Sequence, residues 1–208
     1  MVRAILENSK TQTRLVVNPA PEADQKLSTV TGSSGFIYAV DSTYSQPWPD
    51  VRRMRWDCPY GQPGDLLWVR ETFCPIYSQD PNYNGGQPIE HDYRATYKNG
   101  DRLGDLLGIK KQWKSSRYMP RRASRITLEI TGVRIERLQG ISESDAIAEG
   151  CSKNHNGYYW GGPHAVSGLK QMATAKSAYN DLWTSINGPD SWAANPWVWV
   201  VEFKKVAP

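Results

Sequence analysis

The chain has 208 residues, of which 39% are apolar and 22% charged, and its formal net charge at pH 7 is +4. A mean hydropathy of -0.62, together with the lack of any run near the roughly 20 apolar residues needed to cross a bilayer, excludes an integral membrane protein. This length suits one domain with a hydrophobic core. We therefore expect a single domain over residues 1–208, with no membrane partner.

The first predicted element is a short helix, because apolar residues within 2–6 recur at helical spacing. Asn8 can take the left-handed conformation that often ends a helix. A strand is predicted to follow from residue 13 to residue 17. This arrangement places Lys10 and Thr13 in a fixed turn.

Two interpretations of Lys10 and Thr13 are open. A lysine shielded from water can lose its charge, and a neutral amine beside a threonine hydroxyl can take its proton during attack on a carbonyl. Alternatively, Lys10 complements the negative end of the helix dipole, and residues 11–14 simply begin a half-exposed strand. Spacing alone favours the second interpretation.

Two insertions are predicted in the middle of the chain. Residues 18–62 are expected to be mostly loop, because they are rich in Ser, Thr, Gly and Pro. A turn at 63–65 is then followed by a buried strand at 66–69. The second insertion is expected around 75–120, with a strand at 92–97.

Strands dominate two later segments. Residues 125–131 alternate apolar and polar side chains, and the pattern resumes beyond Gly132, which predicts a β-bulge there. The apolar run 197–203 predicts a closing strand at the centre of the sheet.

Two helices are predicted between these strands. Ser142 and Asp145 resemble a variant capping box at the start of a short helix that Gly150 ends, so Glu149 would lie on its last turn. A longer helix is predicted over residues 166–186.

The positive charge is concentrated in segment 110–137. Nine Lys and Arg residues against Glu129 and Glu136 give this segment a charge of +7, so the rest of the chain carries -3. Trp113 and Tyr118 lie among these cations, and unpaired bases stack on such aromatic side chains. We predict contact with a nucleic acid or nucleotide, the alternative being a solvated face. The candidate nucleic-acid-binding residues are Arg117, Arg122 and Arg125.

Cofactors and metals are not expected. The three cysteines are widely spaced and odd in number, which fits neither a disulfide framework nor paired metal ligands and favours a reducing cytoplasm. The histidines lack the short spacings of zinc sites. No phosphate loop or dinucleotide fingerprint occurs. With no signal-peptide pattern either, we expect a cytoplasmic protein without a cofactor.

Several motifs together resemble one protein family. The segment from Asn8 to Leu15 looks like the N-terminal signature of ASCH domains, written roughly Gly-x-Lys-x-x-Thr-x-Arg, with Asn8 in place of the glycine and Leu15 after Arg14. Further segments are similar to ASCH-like proteins of phages and prophages, and their order makes the resemblance span nearly the whole chain. These segments are 63–72, 93–95, 119–121, 124–128 and 195–200.

The resemblance implies a fold and an activity. The fold would be α+β: a PUA-like mixed β-barrel flanked by helices, with loop insertions. Some small ASCH proteins are amidohydrolases that remove the acetyl group from N4-acetylcytidine with a lysine, a threonine and a glutamate, which match Lys10, Thr13 and Glu149. Thr13 would attack the amide carbonyl and Lys10 would accept its proton. Glu149 would hold the lysine or protonate the leaving amine; alternatively, it pairs with a nearby cation or with solvent.

Four further residues are candidates for recognising a nucleobase: Arg14, Glu71, Tyr93 and Arg121. They offer donors, an acceptor and a stacking face for an unstacked base. Alternatively, Glu71 and Arg121 form an ion pair and Tyr93 is a barrel residue. Two other functions are also consistent with the resemblance: a non-catalytic module that binds RNA or modified DNA, and a ribonuclease.

Overall fold

The computed structural model describes residues 1–21, 26–31, 37–41, 55–80, 82–97, 113–160 and 171–206. In this part the fold is α+β. Its helices are α1 (Val2–Leu6), α2 (Glu143–Ala148) and α3 (Ala175–Asn187). Its strands are β1 (Gln12–Val16), β2 (Leu27–Thr31), β3 (Ile37–Asp41), β4 (Arg55–Asp57), β5 (Leu66–Trp68), β6 (Phe73–Ile76), β7 (Glu90–Tyr93), β8 (Thr127–Arg137), β9 (Cys151–Asn154), β10 (Gly157–Trp160) and β11 (Trp197–Val206).

The largest sheet is a curled, antiparallel half-barrel with the strand order β1-β11-β8-β5. Strands β1 and β11 pair from Gln12 opposite Glu202 to Val16 opposite Val198. On the other edge, the Ile130 N–H donates to the Asp65 carbonyl at 2.9 Å. Strand β11 is therefore internal to the sheet, as its apolar sequence predicted.

Strand β11 is covered on both faces. Val198 and Val200 belong to a core cluster with side chains of α2 and α3. Trp199 and Val201 point the other way, as alternation along a strand requires, and belong to a second cluster with side chains of β8. All four residues are at most 1% exposed. Each such side chain stabilises the fold by about 1.5–3 kcal/mol relative to exposure.

Helix ends agree with the local sequence signals. Asn8 has a φ of 57° directly after α1. At the start of α2, Ser142 Oγ accepts a hydrogen bond from the Asp145 N–H and the Asp145 carboxylate accepts one from the Ser142 N–H, which completes the predicted capping box. Helix α3 ends at Asn187 and is followed by Gly188, which has a φ of 98°.

The predicted start of the long helix is wrong over residues 171–174, because Thr174 caps α3 and the helix begins at Ala175. The Thr174 hydroxyl accepts a hydrogen bond from the Ser177 N–H at 3.1 Å. This side chain satisfies a backbone donor that has no partner within the helix. The rest of the predicted start lies in 161–170, outside the described residues.

Within the described residues of 18–62, the structure contains strands where loop was expected. Strands β2, β3 and β4 form an antiparallel three-stranded sheet within this region. Two of them are short runs of apolar and β-branched residues, which favour strands. The surrounding Ser, Gly and Pro residues hid these runs in the composition of the region.

Two other strand predictions need correction. Leu66 of β5 is 56% exposed, and β5 is an edge strand rather than a buried one. Within the second predicted insertion, β6 pairs with β7. Strand β7 ends at Tyr93, and residues 94–96 form a 3-10 helix, so the predicted strand at 92–97 begins earlier and is shorter.

Strand β8 runs from Thr127 to Arg137 without interruption. Its buried side chains are Leu128 and Ile130, then Val133 and Ile135, so the alternation shifts by one residue near Gly132. A Cβ atom on Gly132 would lie 2.7 Å from Glu202 Oε2. The predicted irregularity at this glycine therefore coincides with a close approach of a charged side chain.

The chain divides into two compact units. The first unit contains residues 3–67 and 128–205, together with Met1. The second contains mainly residues 68–127 and has a small core of Phe73, Met119 and Ala123, against which Tyr93 packs. None of the described helices has the length and apolar character needed to cross a lipid bilayer.

Candidate functional site

A cavity of about 240 Å³ lies in the first unit. Its polar lining residues include Lys10, Thr13, Arg14 and Glu149, and its apolar ones include Leu182, Trp183 and Ile186 of α3. The cavity therefore brings together the three predicted catalytic residues and one of the predicted substrate-binding residues. Long-range pairing of β1 with β11 and packing of α2 place them there.

Lys10 is buried, with 4% of its surface exposed. Its Nζ donates to the Gln12 carbonyl at 2.8 Å, the Glu149 carbonyl at 3.1 Å and Glu149 Oε2 at 2.5 Å. The Lys10 N–H donates to the Ala4 carbonyl at 3.0 Å, so the turn after α1 fixes the backbone as well. Three acceptors match the three donors of an ammonium group.

Glu149 follows the last residue of α2 and is 5% exposed. Its second carboxylate oxygen, Oε1, accepts a hydrogen bond from Arg14 Nη1 at 3.2 Å. The carboxylate therefore lies between two cations, the Lys10 ammonium and the Arg14 guanidinium. The alternative considered from the sequence, that Glu149 pairs with a nearby cation, is consistent with this geometry.

Tyr179 of α3 also lies against this carboxylate. Burial raises the pKa of its phenol, and interaction with Glu149 raises it further. The phenol is therefore neutral at physiological pH and keeps its proton as a hydrogen-bond donor. The Arg14 guanidinium carbon lies 5.8 Å from the centre of the Tyr179 ring.

Arg14 connects several acidic side chains. Its side chain is fully buried, and its Nη2 lies 2.6 Å from Glu136 Oε1 and 3.3 Å from Asp145 Oδ2. With Glu149, three carboxylates surround one guanidinium. Arg14 therefore supplies a counter-charge for the buried Glu149 carboxylate, because charges buried without a partner are strongly disfavoured.

Asp145 is half-buried in the same network. Burial alone would raise the pKa of this carboxyl, but hydrogen bonding by Ser142 and Gln12 and the charges of Arg134 and Arg14 outweigh it. The pKa of Asp145 consequently lies below its usual value. The carboxylate stays charged and anchors the start of α2.

Thr13 differs from its neighbours on β1. Gln12 and Arg14 are buried and their side chains bind groups of α2 and β8, whereas Thr13 is half-buried. Among the described residues, no hydrogen bond to or from the Thr13 hydroxyl was found, including none with Lys10. Its side chain lines the cavity, where it can meet a ligand.

The second unit contains its own buried carboxylate. Glu71 is 2% exposed and accepts hydrogen bonds from Arg125 Nε at 2.9 Å and Nη2 at 3.0 Å. The Arg125 guanidinium also lies 4.1 Å from the centre of the Tyr93 ring. The ion pair of Glu71 with Arg121 that the sequence suggested is not formed, because Arg125 is the partner. Two N–H donors of Arg125 are therefore already bound to Glu71 within this unit.

Tyr93 donates its phenolic proton to the Ala123 carbonyl at 2.7 Å. Burial raises the pKa of this phenol, while the Arg125 charge opposes the rise. Arg117, Arg121 and Arg122 are exposed on two short 3-10 helices. Lys110 and Lys111, which contribute to the basic segment, lie outside the described residues.

Sequence reasoning missed two aromatic side chains of the first cavity. Tyr179 and Trp183 are one helical turn apart on α3, within the helix that the sequence predicted over residues 166–186. Trp183 is 5% exposed, and its Nε1 has no hydrogen-bond partner among the residues that the structure describes. Their polar atoms could have indicated a role at a polar site, since a buried tyrosine hydroxyl or tryptophan N–H usually needs a partner.

No cluster of three or more His, Cys, Asp or Glu side chains that could hold a metal ion occurs in the described part of the chain. Comparison with protein-family models, with curated proteins and with solved structures found no match to this chain.

Proposed function

We propose that the chain is an amidohydrolase that acts on an N4-acylated cytidine-type nucleoside or nucleobase, with Thr13 as the nucleophile. The observation that supports it is the buried pair of Lys10 and Glu149 in the wall of a cavity that Thr13 also lines. A nucleophile, a base and an acid are the groups that hydrolysis of an amide requires.

The proposed reaction has two halves. The Lys10 ammonium passes one proton to Glu149 across their 2.5 Å contact, which leaves a neutral amine. The Thr13 hydroxyl then attacks the amide carbonyl while its proton goes to Lys10. Glu149 returns its proton to the leaving nitrogen, which departs as the free amine of cytidine. Water then attacks the Thr13 ester and releases the carboxylic acid, restoring the hydroxyl.

Arg14 and Tyr179 act in this scheme as positioning residues. Arg14 Nη1 binds Glu149 Oε1 and orients the carboxylate toward Lys10, and the neutral Tyr179 phenol lies beside it. Apolar side chains of α3 line part of the cavity, and less polar surroundings strengthen electrostatic interactions. Glu71, Tyr93 and Arg121 remain proposed recognition residues. Because none of them lines this cavity, substituting them tests recognition separately from the chemistry of Lys10, Thr13 and Glu149.

We also propose that the fold is PUA-like, of the ASCH branch. The order of the family-like motifs supports this assignment, and a curled antiparallel half-barrel sheet is compatible with it. The phage or prophage character suggested by the resemblance belongs to the same proposal.

A second candidate is a non-catalytic module that binds RNA or modified DNA. It is favoured by one observation: all three donors of Lys10 already have acceptors, so the buried ion pairs can serve stability alone. Ribonuclease action by Lys10, Thr13 and Glu149 is an alternative catalytic activity of the same site.

Release of cytidine from N4-acetylcytidine, followed by chromatography, tests the proposal. The native protein and folded Lys10→Ala and Thr13→Ala variants are compared. Turnover by the native protein that is lost in both variants supports the amidohydrolase. If the native protein releases no cytidine yet binds a polynucleotide with an affinity that falls steeply with salt, the binding module replaces it. Cleavage of RNA would instead identify a ribonuclease.

A further inference from the structure

The second unit contains a separate cavity of about 310 Å³. Strands β6 and β7 provide part of its lining, and the 3-10 helices of the basic segment provide another part. The residues that matter for its chemistry are Tyr77, His91, Lys114, Tyr118 and Arg122. Three of these come from segment 110–137, which the sequence singled out for its charge.

The cavity carries positive charge that the described residues do not neutralise. No carboxylate is among its described lining residues. Within the described part of the chain, neither Lys114 nor Arg122 forms an ion pair, and Arg122 Nη2 donates only to the neutral Gln87 Oε1 at 2.8 Å. Arg125 is different, because Glu71 binds it on two nitrogens. In the basic segment, Arg125 is therefore paired with a carboxylate inside the unit, whereas Lys114 and Arg122 line the cavity.

Aromatic side chains accompany these cations. Tyr118 is 71% exposed and Tyr77 is 53% exposed, so both rings are accessible to a ligand. His91 is half-buried, and burial and the Arg122 charge lower its pKa. A neutral imidazole offers one donor and one acceptor. Exposed rings beside lysine and arginine are the features with which proteins hold single-stranded nucleic acid.

We propose that this cavity binds one nucleotide unit of a single-stranded nucleic acid, with the base stacked on Tyr118 and the phosphate held by Lys114 and Arg122. A volume of about 310 Å³ is at the small end of the roughly 300–1,000 Å³ of ligand pockets, which suits one unit rather than a long groove. The proposal does not depend on amide hydrolysis in the first unit, because binding is measured without turnover.

The test is fluorescence anisotropy of short labelled oligodeoxyuridylate and oligouridylate, which differ only in the sugar, with the full chain. Tyr118→Ala is expected to weaken binding by about fivefold to 150-fold, the range for loss of one base–aromatic stack. Arg122→Gln is expected to weaken binding and to reduce the slope of log affinity against log salt by about 0.7, the value for one phosphate contact on a single strand.

Two matched controls come from the same unit. Arg94→Gln removes an exposed arginine that does not line the cavity, and Tyr83→Ala removes a ring that is 57% exposed and does not line it either. Both controls are expected to keep native affinity and salt slope. Because all four residues are exposed, the variants are expected to fold, which circular dichroism checks.

The outcomes separate the sources of the nucleotide. Tighter binding of one oligonucleotide identifies RNA or DNA as the preferred ligand. Equal binding indicates that the cavity recognises the base and phosphate, which both share. Each of these results supports the proposal. Native protein that binds neither oligonucleotide overturns it. The proposal also fails if inorganic phosphate displaces the oligonucleotide as effectively as thymidine monophosphate does, or if the controls weaken binding as much as Tyr118→Ala and Arg122→Gln.

Discussion

The Lys10 Nζ lies 2.5 Å from Glu149 Oε2, although the two residues are separated by 139 positions in the sequence. Both side chains are at most 4% exposed. Removing two charges from water costs several kcal/mol each, which their attraction and further hydrogen bonds must offset. The pair therefore ties the turn after α1 to the end of α2 and places both groups at the wall of one cavity.

Glu149→Gln is expected to lower the free energy of unfolding by about 3–5 kcal/mol, because it leaves the Lys10 ammonium and the Arg14 guanidinium buried without this counter-charge. Urea denaturation measures the change. Glu129→Gln is the matched control, since the Lys204 partner of Glu129 is 59% exposed and such pairs contribute about 0–1 kcal/mol. Equal losses in the two variants would contradict a buried ion pair.

The pH dependence of stability should include a contribution from Asp145. Its pKa is lower in the folded state than the usual value of about 3.9. The carboxylate therefore stabilises the fold fully above that usual value, and the stabilisation is lost as the pH falls through the lower, folded pKa. Urea midpoints of the native protein and Asp145→Asn should converge as the pH falls below about 4. A constant difference down to acid pH would contradict this assignment.

Cys151 is expected to resist alkylation. Burial raises the pKa of its thiol to about 12, and the Glu149 charge contributes to the rise. Because the thiolate is the reactive form, iodoacetamide at mildly alkaline pH should modify Cys151 slowly in the folded protein and readily in urea. Peptide mass spectrometry can compare it with Cys58, which is less buried. Modification of Cys151 before Cys58 in the folded protein would be inconsistent with this account.

Local signals in the sequence predicted several elements well. The left-handed Asn8, the capping box of Ser142 and Asp145 and the apolar run of β11 each depend on a few neighbouring residues. Their conformations follow from backbone sterics, side-chain capping and burial. The short strands β2 to β4 were missed because turn-forming residues surround them. Part of their packing is also long-range, since Leu27 belongs to the cluster with β8 and β11 and Trp56 packs against it.

The ion-pair partners were harder to predict than the elements. Arg14 and its partner Glu136 are 122 positions apart, and the choice of Arg125 rather than Arg121 as the partner of Glu71 depends on which side of the chain each arginine faces. Such choices are set by sheet register and side-chain direction. A single sequence without a fold does not specify them.

Two substitutions of Thr13 test the central claim most directly. Thr13→Val removes the hydroxyl and keeps the shape of the side chain, whereas Thr13→Ser keeps the hydroxyl. We predict that Thr13→Val loses turnover of N4-acetylcytidine by about a thousandfold or more, that Thr13→Ser retains measurable turnover, and that both variants unfold at nearly the native urea concentration. Thr13→Val releasing cytidine as fast as the native protein, or a native protein that releases none, would contradict the account.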